Sequence, residues 1–172
     1  MNVRVVATDG RGAVQGFTLV ELMVTIAVLA IIVSLGVPMY GQFTQGAGLA
    51  SRTSELVSSI NLSRSEAVTR RAPVRLAAID GDWTLGWEVH DDSVVPTLLR
   101  ITDLRDSDLN YDIAEVSGLA VLTFDGQGRV SDLARFTLCR RGAGNDNGRL
   151  LTLSRFGRVE TVNIAGSGVD CP

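Results

Sequence analysis

One carboxylate, Glu21, stands near the start of an otherwise apolar run over residues 17–37. An ionised acid in low dielectric is tolerable only when it is paired or neutralised, so this residue is a candidate for charge pairing rather than filling. The other residue types capable of chemistry are sparse. Cys139 and Cys171 can form a disulfide if they lie in an oxidising compartment, closing a 33-residue loop worth about 3–4 kcal/mol in the chain-entropy model; otherwise they are two buried thiols. His90 is the sole histidine and has no Cys-x-x-Cys or second histidine to join it at a metal. Asp91 and Ser93 beside it are turn neighbours rather than a triad, so it reads as an exposed residue at a strand end. Asp103, Asp106, Asp108 and Asn110 offer oxygen ligands, but their spacing departs from the alternating calcium loop and reads as a solvated acidic loop. Gly142-Ala143-Gly144 beside Arg140 and Arg141 lacks a following helix to cradle a phosphate, and reads as a mobile hairpin loop. No catalytic residues, cofactor or metal are expected.

The elements that would carry these residues follow from the periodicity. Residues 17–37 would span roughly 31 Å as a helix, about the hydrocarbon thickness of a bilayer. A secretory signal has a shorter core followed by a small-x-small site. Here Gly16 precedes the core, so the segment reads as retained. Past Pro38, apolar residues recur at Leu49, Leu56, Val57, Ile60, Ala67 and Val68, one face of a helix that continues to about Arg70. Pro38 is expected to kink it, and Gly41, Gly46 and Gly48 to weaken it. Ala72-Pro73 is the expected stop. From Val74 the period changes to short strands over residues 74–79, 84–90, 94–101, 119–124, 134–139, 150–154 and 158–164, separated by Asp/Gly-rich turns. Their spacing predicts antiparallel hairpins. The fold class is therefore α+β: a long N-terminal helix, its first half membrane-embedded, packed by its second half on an antiparallel sheet. The expected divisions are 1–16, 17–37, 38–72 and 73–172.

Charge is uneven along the chain. All 16 basic residues are arginine. Residues 80–125 hold eleven acids and two arginines, a net of −9, whereas residues 126–172 hold seven arginines and four acids, a net of +3. Acidic and basic edges of this kind can steer neighbouring subunits into register. Arg149, Arg155 and Arg158, with Arg140 and Arg141, form a candidate DNA-phosphate patch.

Gly16-Phe17-Thr18-Leu19-Val20-Glu21, the long apolar run and Pro38 resemble the class III signal of type IV pilins and type II secretion pseudopilins. Asn61-Leu62-Ser63-Arg64-Ser65-Glu66-Ala67, Trp83-Thr84-Leu85-Gly86-Trp87-Glu88-Val89, Phe136-Thr137-Leu138-Cys139 and Ser154-Arg155-Phe156-Gly157-Arg158-Val159 are similar to the GspH/FimT subgroup, minor pilins of the FimU-like kind. The resemblance implies a prepilin with a leader over 1–16, cleaved between Gly16 and Phe17 and N-methylated at Phe17 by a prepilin peptidase, so that the chain is a substrate and not an enzyme. It implies an inner-membrane, single-pass protein whose C-terminal domain is periplasmic until it enters a fibre. The implied partners are the lipid bilayer, an inner-membrane assembly platform, and other minor and major pilins or pseudopilins. Cleavage would unmask an amine at Phe17 that Glu21, one turn along, can pair with in its own or an adjacent subunit. At 4 Å such a pair interacts by about 4 kcal/mol at an effective dielectric of 20. The role implied is a minor subunit priming a type IV pilus near its tip, with a type II secretion pseudopilin as the alternative. In the FimT branch a Gly-Arg-x-Arg motif goes with DNA capture; here the stretch is Gly157-Arg158-Val159-Glu160, and the acid in place of the second arginine disfavours DNA.

Overall fold

A computed structural model describes residues 17–105, 111–142 and 144–171, with the side chains of 35–45 and 146–147 outside the description. The expected leader with Gly16, and the acidic-loop residues Asp106, Asp108 and Asn110, lie outside the described residues, as does Ala143. The chain divides into two compact units, the second beginning at Phe43.

The helix is α1, Leu19–Arg70. Thr18 caps it: its Oγ1 accepts the Glu21 N–H at 3.2 Å and its carbonyl accepts the Leu22 N–H. The far end closes where Arg71 turns left-handed (φ 52°) just before Ala72-Pro73, as the sequence predicts. The helical backbone runs through Pro38, and the expected kink there rests on residues whose side chains are not described. In the first unit every described side chain from Phe17 to Ser34 is exposed. Among the described residues no helix is long and apolar enough to cross a membrane; residues 35–37 of the expected span belong to the set without described side chains.

In the second unit eight strands follow: β1 Val74–Ile79, β2 Asp82–Asp91, β3 Leu98–Asp103, β4 Tyr111–Glu115, β5 Val121–Phe124, β6 Ala134–Arg140, β7 Arg149–Leu153 and β8 Val159–Asn163. All neighbouring pairs are antiparallel. They divide between two four-stranded sheets, ordered β3-β2-β1-β5 and β4-β6-β7-β8, where the periodicity alone predicts one. The strand expected from residue 94 begins only at Leu98, because Asp91 accepts the Ser93 hydroxyl and the Thr97 N–H and rolls residues 93–97 into a turn. Strand β4 was not expected from the sequence.

The main core is a cluster where α1 and both sheets meet, and a smaller one around Cys139, Leu150 and Ile164 lies beneath the C-terminal segment. Leu56, Ile60 and Ala67 come from the helix, Val74, Leu76 and Trp87 from the first sheet, and Phe136, Leu138 and Leu151 from the second. Trp83 and Phe136 join the sheets edge to face, 4.8 Å between centroids, and the Trp83 indole N–H donates to the Leu119 carbonyl at 2.8 Å. The helix face also buries Ser59 and Ser63, which sequence polarity would place outside; each donates its hydroxyl to the carbonyl four residues earlier. Val68, expected inside, is 47% exposed. Every buried hydrophobic side chain described lies between Leu49 and Ile164, so the second unit has a core of its own.

Candidate functional site

The head of α1 is built from three adjacent residues. Phe17 precedes the helix and Thr18 caps it, which places Glu21 at its third helical position. Thr-x-x-Glu is a capping-box spacing, a signal the apolar pattern conceals and sequence reasoning passed over. A carboxylate in the first turn faces the positive end of the helix dipole, so Glu21 adds local negative charge where an amine on Phe17 would need it. Around it the side chains from Phe17 to Val33 form a continuous apolar surface: Phe17 is 82% exposed and Ile32 62%. An exposed apolar face of this extent marks a membrane or a partner, not a free surface.

The second unit holds the other candidates. Cys139 and Cys171 are bonded, the disulfide expected from the sequence. It fastens the C-terminal segment over Leu150 and Ile164, helped by Asn145, whose Oδ1 accepts the Cys171 N–H (2.8 Å) and whose amide donates to Asp170 (2.6 Å). The candidate arginines are not brought together. Arg149 opens β7 and donates to Asn163, and Arg141 pairs with Asp112, whose carboxylate raises the guanidinium pKa by hydrogen bonding and proximity. Arg155 and Arg158 stand a strand length away, in the turn from β7 to β8.

There the structure assembles a different group. Three segments meet: the end of α1 with Arg64 and, just past it, Arg71; the β5–β6 turn with Asp125 and Arg129; and the β7–β8 turn with Arg155 and Arg158. The Val130 N–H donates to the Arg155 carbonyl, tying the two turns (3.0 Å). Gly157 has φ +70°, and a Cβ there would meet the Arg64 side chain at 2.7 Å and the Gly128 carbonyl at 2.9 Å, so only glycine lets the helix arginine lie across both turns. Arg129 pairs with Asp125, whose pKa is lowered chiefly by the Arg129 backbone N–H. Arg64, Arg71, Arg155 and Arg158 make no ion pair among the described residues. Their convergence from three distant stretches is invisible to linear spacing.

His90 departs from the exposed strand-end reading. Its Nε2 lies 2.7 Å from Glu88 Oε2 on the same face of β2, and its Nδ1 is buried without a partner. Asp103 pairs with Arg105, which holds its carboxyl down to about 2. Among the described residues no cluster of three metal-ligating side chains forms.

Comparison with known proteins fits this geometry. A family model described as type II transport protein GspH matches residues 52–157, and a prokaryotic N-terminal methylation motif matches residues 11–37. Two crystal structures of the Pseudomonas aeruginosa (strain PAO1) type IV minor pilin FimU resemble the chain. The form in space group P21 has TM-score 0.61 and 29% identity, covering 72% of this chain and 94% of that one. The P65 form has TM-score 0.56 and 27% identity, covering 67% and 94%. No curated protein matches the chain significantly.

Proposed function

Because the chain belongs to the GspH family of pilin-like structural subunits, we propose that it is a minor subunit of a type IV pilus that takes part in priming the fibre near its tip. A prepilin peptidase cuts between Gly16 and Phe17 and methylates the new amine. The helix from Phe17 to about Val37 holds the chain in the inner membrane, with the domain beyond it in the periplasm, where the Cys139–Cys171 bond is stable. Assembly then moves the helix from lipid into the fibre core among other pilins.

The observation that carries this reading is the coincidence of a methylation motif, a helix capped one residue after its junction, and an apolar surface left bare from Phe17 to Val33. Lipid and neighbouring helices are the two surroundings in which that surface is stable. Glu21 is costly in both unless paired. The amine of an incoming or resident subunit supplies the charge, and the pair sets axial register. Glu21→Ala and Glu21→Val should leave membrane insertion intact and impair incorporation into fibres sheared from cells. Wild-type incorporation by both variants would refute the pairing. The family model's own description supports the second reading, a type II secretion pseudopilin; deleting the gene and scoring pilus-dependent motility against exoprotein release separates the two.

A further inference from the structure

The two sheets present four edge strands, and three of them are defended. β3 carries Arg100 and Asp103, its register with β2 shifts between Val89 and His90, and Arg100 donates to Ser58 of α1 (3.3 Å). β5 is four residues long, and the returning chain closes its outer side: the Thr123 carbonyl accepts the Ser131 N–H (2.9 Å) and Phe124 bridges to Val130. The residues of β4 are all buried or half-buried. Charge, irregular register, short length and cover are the means by which folds keep an edge from pairing with foreign chains. β8 has little of this. Its register with β7 is unbroken from Val159 to Asn163, four of its five residues are exposed, and Glu160 is its one charge.

The phase of the β7–β8 ladder says which backbone groups are left over. The Ile164 N–H donates to the Gly148 carbonyl (3.1 Å) and the Ser154 N–H to the Arg158 carbonyl (3.0 Å). In an antiparallel pair every second residue exchanges bonds with its partner and the intervening ones turn theirs outward. Glu160 and Val162 therefore bond to Thr152 and Leu150, while Val159, Thr161 and Asn163 aim their N–H and C=O groups away from the sheet. Beside this edge runs a groove of about 620 Å³ between α1 and the sheet, floored by Val57 and Thr53, with Ser54, Ser58, Thr161 and Arg149 on its walls. That volume lies within the roughly 300–1,000 Å³ of sites that bury compact groups. Arg149 reaches across β8 to Asn163, which puts a cation at one end of the edge; Arg158, without an ion pair among the described residues, stands at the other.

We propose that β8 is a docking edge for an extended, acidic segment of another protein, which adds antiparallel to it as a fifth strand and drops alternate side chains into the groove beside α1. The edge itself specifies the occupant. Outward N–H and C=O groups at strand spacing are answered in register only by another extended backbone, and the alternation of side chains then gives selectivity. The described strands of this chain already have their places, and the Cys139–Cys171 bond holds the chain after β8 over Leu150 and Ile164. A second copy of β8, paired antiparallel about Thr161, would set Arg149 beside the copy's Arg158, and like charges so opposed disfavour it. An acidic segment meets both arginines favourably. This contact depends neither on cleavage at Phe17 nor on the fibre-subunit reading.

The test uses residues 43–172, which contain the whole described core. The probe is a seven-residue peptide, capped at both ends, that alternates valine with threonine and carries aspartate at a groove-facing position. Titration followed by amide hydrogen exchange should show saturable binding, with the Val159, Thr161 and Asn163 amides protected about tenfold or more while Glu160 and Val162, already bonded to β7, change little. Thr161→Pro removes one outward N–H at a position where an edge strand tolerates proline, so the fragment should keep its melting transition and lose affinity about tenfold or more. The peptide N-methylated on the residues that face β8 should not bind, whereas N-methylation of the intervening residues should leave binding intact. Replacing the aspartate by asparagine should weaken binding to the wild-type fragment and make no difference to Arg149→Gln. No saturation up to about 1 mM peptide would overturn the proposal. Equal affinity for Thr161→Pro, or for the two N-methylated peptides, would also overturn it. So would a dimer of the peptide-free fragment that Thr161→Pro dissolves, which would assign the edge to a second copy.

Discussion

Glu115 offers the sharpest stability prediction. Its side chain is 8% exposed, and its two oxygens accept three backbone N–H groups: Ser117 and Leu119 at 2.8 Å on Oε2, and Arg135 at 3.1 Å on Oε1. One carboxylate thereby shapes the turn after β4 and pins it to the start of β6. A hydrogen bond to a charged acceptor contributes about 1.5–3 kcal/mol, but the Ser117 and Leu119 amides regain some water if the turn loosens. Glu115→Ala should therefore cost about 3 kcal/mol, well short of the sum of three bonds, a large share of the roughly 5–15 kcal/mol that stabilises a domain. Glu115→Gln keeps the shape and one acceptor oxygen but turns an NH₂ toward an N–H, and should cost about half as much. Urea unfolding of residues 43–172 with the disulfide intact reads both as shifts in midpoint at constant slope. A loss under about 1 kcal/mol for Glu115→Ala would refute the argument, showing that the turn holds without its carboxylate.

Three further outcomes follow from the same structure. Reducing the disulfide, or Cys139→Ser with Cys171→Ser, should lower stability by about 3–4 kcal/mol for a crosslink 32 residues apart, read as a denaturation midpoint in the presence and absence of reductant. Gly148→Ala should cost about 1–3 kcal/mol, because the added methyl would collide with Ile164 and with the Cys171 sulfur, which the crosslink keeps from moving away; thermal melting checks it. The Asp91 carboxyl is held below its usual value chiefly by the Thr97 N–H, Asp125 chiefly by the Arg129 N–H, and Asp103 down to about 2 by Arg105. A depressed carboxyl pKa adds stability that is complete above the unfolded value near 4 and is lost as pH falls toward 2. The unfolding midpoint should therefore be flat from pH 7 to 5 and drop between 4 and 2, with a shallower drop in Asp91→Asn.

Much of the fold could be read from local pattern. The helix stop at Ala72-Pro73 and the bounds of β1 follow from residues a few positions apart, and so do the turns at Asp80-Gly81 and Asp125-Gly126. What escaped depends on distant partners. Val94 and Val95 have strand propensity but stand in solvent, because an Asx turn from Asp91 takes the backbone first. Tyr111–Glu115 is too short and mixed to signal a strand, and becomes one only by pairing with β6. The split into two sheets follows from β1 pairing with β5, from Ala77 with Val121 to Val74 with Phe124, which no period encodes. The head of α1 was legible as a junction, acid and apolar run, although its capping box hid inside the same letters. The arginine cluster was legible only in part: Arg155 and Arg158 were named, but Arg64, Arg71 and Arg129 reach them through the tertiary fold. Ser59 and Ser63 look like surface residues because their satisfaction comes from the helix's own carbonyls.

The central claim is that proteolysis creates the amine that Glu21 answers. Mass spectrometry of the N-terminal peptide from protein extracted out of native membranes tests it most directly. A chain beginning at N-methylated Phe17 is the expected result. A chain still carrying Met1, or one trimmed past Val37 and free of the membrane, would contradict it.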